Sequence, residues 1–191
     1  VRAVKEYPLA KVFQLLEPGP VVLVSTRSAS GAANLMTMSW HMMMDFEPPL
    51  LACLLSGNNH SFEALVKTRQ CVIAIPDAGM AATVVDIGNC TGAERDKFRE
   101  FGLTPLPAAE VSAPLVAECC ANIECRLADD ALVDRYNLFV LEGLRAWRNP
   151  TKMGPDLRPP KLMHAIGDGT FRVDGRTLNL KARMVKWPQF V

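Results

Sequence analysis

The stretch NLMTMSWHMMMDFEPPLL, Asn34 to Leu51, sets five methionines between Met36 and Met44 around one tryptophan. With the two-residue period of a strand, Met36, Met38, Trp40 and Met42 share one face, and Leu35, Thr37, Ser39 and His41 share the other. The first face is soft and apolar, suited to filling irregular gaps in a core. The second is mostly hydroxyl and imidazole. Two explanations of that polar face stand side by side: it meets solvent, or it lines the seat of a flat cofactor. The Glu47-Pro48-Pro49 step then breaks the strand, because proline cannot donate to a ladder.

Working outward, strands are easier to find than helices. VVLVST (Val21–Thr26) reads as a buried strand, with RSASGAAN as the hairpin loop that leads into LMTMSWHM as the returning strand. LLACLLS, CVIAI (Cys71–Ile75), ANIECRL and LFVLEGLRAW complete the set. Helices are expected at His60–Thr68, Gly79–Gly88 and Ala93–Phe101. After Trp147 the chain turns Pro- and Lys-rich (RNPTKMGPDLRPPK), a long excursion before a short TFRVDGRTLNL hairpin around Asp174-Gly175. No repeat or composition shift marks a boundary, so one domain over residues 1–191 is expected. Short antiparallel strands with interposed helices predict an α+β, mainly β, barrel-like fold.

Composition narrows the function classes. The 191 residues carry 21 basic and 20 acidic side chains, a net charge of +1. That balance provides no long-range field for nucleic acid or an anionic membrane. The longest apolar runs, such as LLACLL (Leu50–Leu55), fall far short of the ~20 residues of a membrane span. The six cysteines show no CxxC or zinc-type spacing, and His41, His60 and His164 are scattered, so no metal site is expected. Cysteines inside apolar runs and the lack of a basic-then-apolar leader lead us to expect a cytoplasmic protein. There is no GxGxxG opening a helix, no GxxxxGK[ST], no GxSxG elbow and no HExxH.

One segment does suggest anion chemistry. LSGNNHSFE places Ser56, Gly57, Asn58, Asn59 and Ser61 directly before or within the start of a helix. Free amides and the positive end of the helix dipole make such a start a ready phosphate site. Plain capping by Asn59 or Ser61 would explain the same residues.

Five blocks taken in order carry more than any one of them. They are NLMTMSWH, FEPPL, SGNNHSFE, NCTGAERDKF (Asn89–Phe98) and LVDRYNLFVLE (Leu132–Glu142). Together they resemble the flavin reductase-like family with an FMN-binding split barrel, and its flavoredoxin branch most. The resemblance spans roughly Val12 to Trp147, and more loosely GDGTFRVDGR. It implies a split β-barrel with peripheral helices, bound FMN, and a homodimer with the flavin near the subunit interface. It sets Asn34, Thr37, Met38, Ser39 and Trp40 beside the isoalloxazine and ribityl chain. Ser56, Asn58 and Ser61 fall in the phosphate-side loop, with Lys97 as its cationic partner. Tyr136 or Asn137, and Phe171, fall where such proteins close the flavin site. Trp40 lies on the methionine face of an ideal strand, so touching flavin would require a bulge or strand end to turn it. Two functions follow from the resemblance and stay open here. One is a reductase that takes hydride from NADH or NADPH and passes electrons to free flavin or another acceptor. The other is an FMN electron carrier reduced by a protein partner. Neither needs a catalytic acid, base or nucleophile, because the chemistry belongs to the cofactor.

Overall fold

The computed structural model describes residues 8, 15, 19–152 and 161–176. Along the chain run β1 (Val22–Arg27), β2 (Ala33–Met38), β3 (His41–Phe46), β4 (Pro49–Leu54), α1 (His60–Thr68) and β5 (Gln70–Ile75). A 3-10 turn (Ala78–Met80), α2 (Ala81–Gly88), α3 (Lys97–Glu100), β6 (Pro105–Leu106), β7 (Leu115–Val116) and β8 (Ala121–Asp129) follow. The described chain ends with α4 (Val133–Tyr136), β9 (Leu138–Arg148), β10 (Met163–Ala165) and β11 (Phe171–Val173). Seven strands form one antiparallel sheet in the order β2-β1-β5-β8-β9-β4-β3. Its two edges, β2 and β3, are consecutive in the chain and joined by Ser39 and Trp40. The sheet therefore curls until its ends lie near each other without pairing, a split β-barrel.

Strand periodicity sorts the interior. Val22 and Val24 sit opposite Met38 and Met36 in the β1–β2 ladder. All four join Leu51, Cys53, Cys71, Ile73, Cys125, Leu127, Phe139 and Leu141 in the barrel core. Burying side chains of this size stabilises by ~1.5–3 kcal/mol each. Leu65 of α1 belongs to the same cluster, and Phe62 meets Phe139 edge-on at 5.3 Å between ring centres. Helix α1 thus plugs one end of the barrel.

The opposite faces of β1 and β2 are not bare. Leu23 and Leu35 pack with Val84, Ile87 and Phe98 beneath α2 and α3. The Thr37 hydroxyl donates to the Val84 carbonyl at 2.6 Å. So the hydroxyl-bearing face of β2 lies mostly under a helix, and of the two explanations offered for it neither holds for Leu35.

Elsewhere a buried carboxylate fixes the outer layer. Glu124 is fully buried and accepts from the amides of Ala109, Glu110 and Val111 and from the Trp147 indole. Burial alone would raise its pKa, but these donors outweigh it and hold the carboxyl below the ordinary glutamate range. The pinned segment lays Val111, Ala113 and Leu115 over Val72.

Several expectations need correction. The returning strand splits in two, because Ser39 and Trp40 interrupt it. Met42, expected inward with Met36 and Met38, is 61% exposed, and Met43 and Met44 are 56% and 50% exposed. Strand β3 lies beyond the barrel core and carries a bulge between Met43 and Asp45, so alternation lapses there. The helix expected from Ala93 begins only at Lys97, where the Asp96 side chain accepts from the Arg99 amide. The Gly79–Gly88 helix starts as a 3-10 turn and becomes α-helical at Ala81. Phe171–Val173 pairs backward with Met163–Ala165. The second arm of that expected hairpin, from residue 177, lies outside the described residues, as does the excursion at residues 153–160. Among the described residues, no helix is long and apolar enough to cross a membrane.

Candidate functional site

Two adjoining pockets open where β2 ends, near the start of α1. The first, about 320 Å³, is lined by Met36, Thr37, Met38, Ser39, Trp40, Leu54, Ser56, Asn59, Tyr136 and Asn137. The second, about 430 Å³, shares Met36 and Asn59 with it. Its other walls include Asn34, Asn58, His60, Ser61, Cys90, Thr91, Gly92, Arg95 and Lys97. Each lies in the size range of small-ligand sites.

The first pocket exists because β2 stops. After Met38 the chain leaves the ladder, and Trp40, 54% exposed, stands at the pocket instead of entering the core. The turn that the sequence required of Trp40 is there. Backbone bonds hold the break in place, with Leu54 N–H donating to the Trp40 carbonyl and His41 N–H to that of Ser39. Across the opening, Asn137 takes a left-handed conformation (φ 55°), which asparagine tolerates, and its carbonyl accepts from Leu55 N–H at 3.1 Å. Tyr136 beside it is half-exposed. The lining thus mixes aromatic and apolar walls with hydroxyl and amide groups.

The second pocket brings cationic side chains to the start of a helix. Helix α1 starts after Asn59, whose side chain makes no capping bond, so its first amides have no side-chain acceptor. Lys97 is only 3% exposed, and the partner described for its ammonium is the Ile87 carbonyl, accepting at 2.9 Å. Burial pushes the Lys97 pKa down, partly offset by the nearby Cys90 thiol. Arg95 adds a second cation, paired outward with Glu100. Asn34, 4% exposed, gives its amide hydrogen to Ser61 Oγ at 2.8 Å, and Thr26 Oγ1 donates to the same oxygen at 3.3 Å. Its Oδ1 has no donor among the described residues. Leaving such a buried acceptor unmet costs ~1–3 kcal/mol. Gly92 is what lets the amide sit there: a Cβ at that position would fall 2.0 Å from Asn34 Oδ1.

Of the twelve residues named from the sequence, eleven line these two pockets, with a changed division of labour. Asn34, expected beside the isoalloxazine and ribityl chain, lies with Lys97 in the cationic pocket, and Ser56, expected at the phosphate, lies in the first. Both Tyr136 and Asn137 are present. Phe171 is the exception. It packs with the second core cluster, beside β10, and reaches neither pocket. Leu54, His60, Cys90, Thr91, Gly92 and Arg95 also line the pockets and were not singled out as site residues in the sequence. Cys90, Thr91 and Gly92 stood inside a quoted block, and the glycine was the available signal. Nothing local distinguished Arg95 from a solvated helix-start residue.

Comparison with known proteins bears on the family and the fold. The model of the flavin reductase like domain matches residues 16–167. Uncharacterized protein YddH of Escherichia coli is 34% identical over 173 residues, covering 85% of this chain and 90% of that protein. A solved FMN-binding domain of a flavin reductases-like enzyme from Shewanella baltica is 29% identical, with a TM-score of 0.77 over 91% of this chain and 95% of that one. Flavoredoxin of Desulfovibrio vulgaris (Miyazaki F) superposes with a TM-score of 0.82 at 23% identity, covering 92% of this chain and 96% of that one.

Proposed function

We propose that this chain, which belongs to the flavin reductase-like family, is an FMN-dependent oxidoreductase whose cofactor takes hydride from NADH or NADPH and passes electrons to free flavin or another acceptor. The observation that carries the reading is the pairing of an aromatic, hydroxyl-lined pocket with an adjoining cationic one. FMN has matching parts, a flat ring system and a terminal phosphate joined by a short chain.

The residues fit that ligand on their own terms. The uncapped start of α1, the buried Lys97 ammonium and Arg95 supply what a phosphate needs. The orphaned Asn34 Oδ1 lies where the second pocket adjoins the first and is suited to a hydroxyl donor of the connecting chain. Trp40, Met38, Leu54 and Tyr136 give apolar contact for the ring, and Ser39, Ser56 and Asn137 offer polar groups at its edge. Thr37 has already given its hydroxyl proton to Val84, so it can act there only as an acceptor. The work of this chain is to bind, orient and tune; no side chain has to supply a proton or a nucleophile.

The working unit in this reading is a homodimer in a reducing, cytoplasmic setting, where its six free thiols persist. Support for association comes from β3. Met42, Met43, Met44 and Phe46 are all exposed on an edge strand, next to Trp40 at the pocket mouth. Contiguous apolar surface of that kind marks an interaction site.

An absorbance spectrum tests the proposal. The purified protein, or the protein with added FMN, should show bound flavin and bleach on anaerobic addition of NADH or NADPH. Bleaching by dithionite alone would replace the reductase with an electron carrier. Failure to bind FMN would remove both.

A further inference from the structure

The second pocket holds a thiol for which flavin binding has no use. Five of the six cysteines are buried, and Cys90 alone is half-exposed. Its sulphur lies 3.7 Å from the Ile87 carbonyl oxygen, the same atom that accepts from Lys97 Nζ at 2.9 Å. Sulphur and ammonium therefore stand no further apart than those two distances laid end to end. Arg95 is also within electrostatic reach of the sulphur. Independently, the unmet Asn34 Oδ1 on the same wall marks this as a place where a ligand completes the structure.

Resting on the phosphate reading of this pocket, we propose that Cys90 is a thiol-modification site, taken by small disulfides bearing carboxylates, and that its modification shuts the pocket to FMN. The two cations that suit a phosphate also draw in an anionic disulfide, and Glu94 is the one acidic side chain lining the pocket against them. The deprotonated Cys90 sulphur attacks one sulphur of R–S–S–R, its proton having gone to solvent. The old S–S bond breaks as Cys90–S–S–R forms, and RS⁻ leaves to take up a proton. One disulfide replaces another, so no further oxidant is needed. The attached group then shares about 430 Å³ with Asn34, Ser61 and Lys97, and a phosphate cannot enter beside it. A free thiol would restore the pocket by the reverse exchange.

The test uses flavin-free full-length protein, with oxidised glutathione as the anionic disulfide and cystamine as a cationic one of similar reactivity. Intact mass and peptide mapping locate the adduct, and fluorescence titration gives FMN affinity before and after. We expect one glutathione adduct, on Cys90, forming roughly tenfold faster than the cystamine adduct at low salt. FMN affinity should fall by roughly tenfold or more and recover with dithiothreitol. Saturating FMN or inorganic phosphate should slow the modification. Cys90→Ser, whatever its own affinity, should bind FMN equally well with and without prior disulfide treatment. An unreactive Cys90, or a Cys90 adduct that binds FMN as before, overturns the proposal. Protection by phosphate in a protein that never binds FMN would refute the flavin reading and still support a phosphate-gated thiol.

Discussion

Replacing Lys97 by methionine separates the cost of this residue to the fold from its use to the site. The side chain is 3% exposed, and burial holds its pKa down, so the empty protein carries a poorly solvated ammonium. Its described hydrogen bond goes to the Ile87 carbonyl, which leaves two of three N–H donors for a ligand. Methionine keeps the length and removes the charge; the Ile87 carbonyl loses its stronger donor and keeps only the weak Cys90 thiol, at a cost of at most ~1–3 kcal/mol, offset by the desolvation relieved. Thermal stability should therefore change little. FMN binding should change much more. One charge-assisted hydrogen bond to a phosphate contributes ~1.5–3 kcal/mol. At ~1.4 kcal/mol per factor of ten, Lys97→Met should weaken FMN roughly ten- to a hundredfold. Riboflavin has the ring and ribityl chain without the phosphate, so its affinity should stay within about twofold. Fluorescence titration of both flavins against both proteins gives the four constants. Equal losses for riboflavin and FMN would mean that Lys97 acts through packing, and unchanged FMN affinity would take it out of the phosphate site.

Three further outcomes follow from the same structure. FMN affinity should decline as pH rises from neutral into the alkaline range, because a Lys97 pKa lowered by burial loses its proton earlier than an exposed lysine would; calorimetric titration at several pH values would show a flat profile if the ammonium were not involved. Glu124→Gln should destabilise by about 2–4 kcal/mol, since it sets amide hydrogens against four donors. In the unmodified protein the Glu124 contribution is full above the unfolded glutamate range and fades as pH falls through its depressed folded value, so the urea midpoint of the wild type should fall in acid more than that of the variant. FMN at a hundred times its dissociation constant should add ~2.7 kcal/mol of stability, and if β3 is the dimer surface the unfolding midpoint should also rise with protein concentration and Met43→Asp should give a monomer by sedimentation.

The barrel was legible where local pattern and topology agree. Val22, Val24, Met36 and Met38 alternate inward as the two-residue period requires, and α1 has the expected His60–Thr68 bounds. The reading failed where a distant element decides. Thr37 looks available in the sequence, yet α2, some 47 residues on, supplies the carbonyl that takes its proton. Met42 repeats the pattern of Met36 but lies on a strand that extends past the core. Lys97 could be named from its block, while Arg95 could not, because only the folded chain brings residue 95 to the start of α1. Phe171, set at the flavin site by resemblance, packs partly against the second core cluster within this chain.

Why the site lies here follows from the sheet itself. A barrel that closed completely would pair β2 with β3 and leave no unmatched backbone near Ser39 and Trp40. The split leaves that edge open, and it lies beside the uncapped start of α1, the other place where this fold has amides to spare. Evolutionary tuning of side chains can then be modest. Gly92 clears room for Asn34, Asn34 keeps an unmet oxygen, and Lys97 keeps a buried charge. Each of these is unfavourable on its own, and in the proposed reading each would be relieved by one part of a phosphate-bearing, hydroxyl-rich ligand. A surface that merely tolerated polar residues would have hydrated the asparagine and exposed the lysine. Their burial is the physical reason to propose the second pocket as a binding site, and the shared walls of Met36 and Asn59 join it to the first.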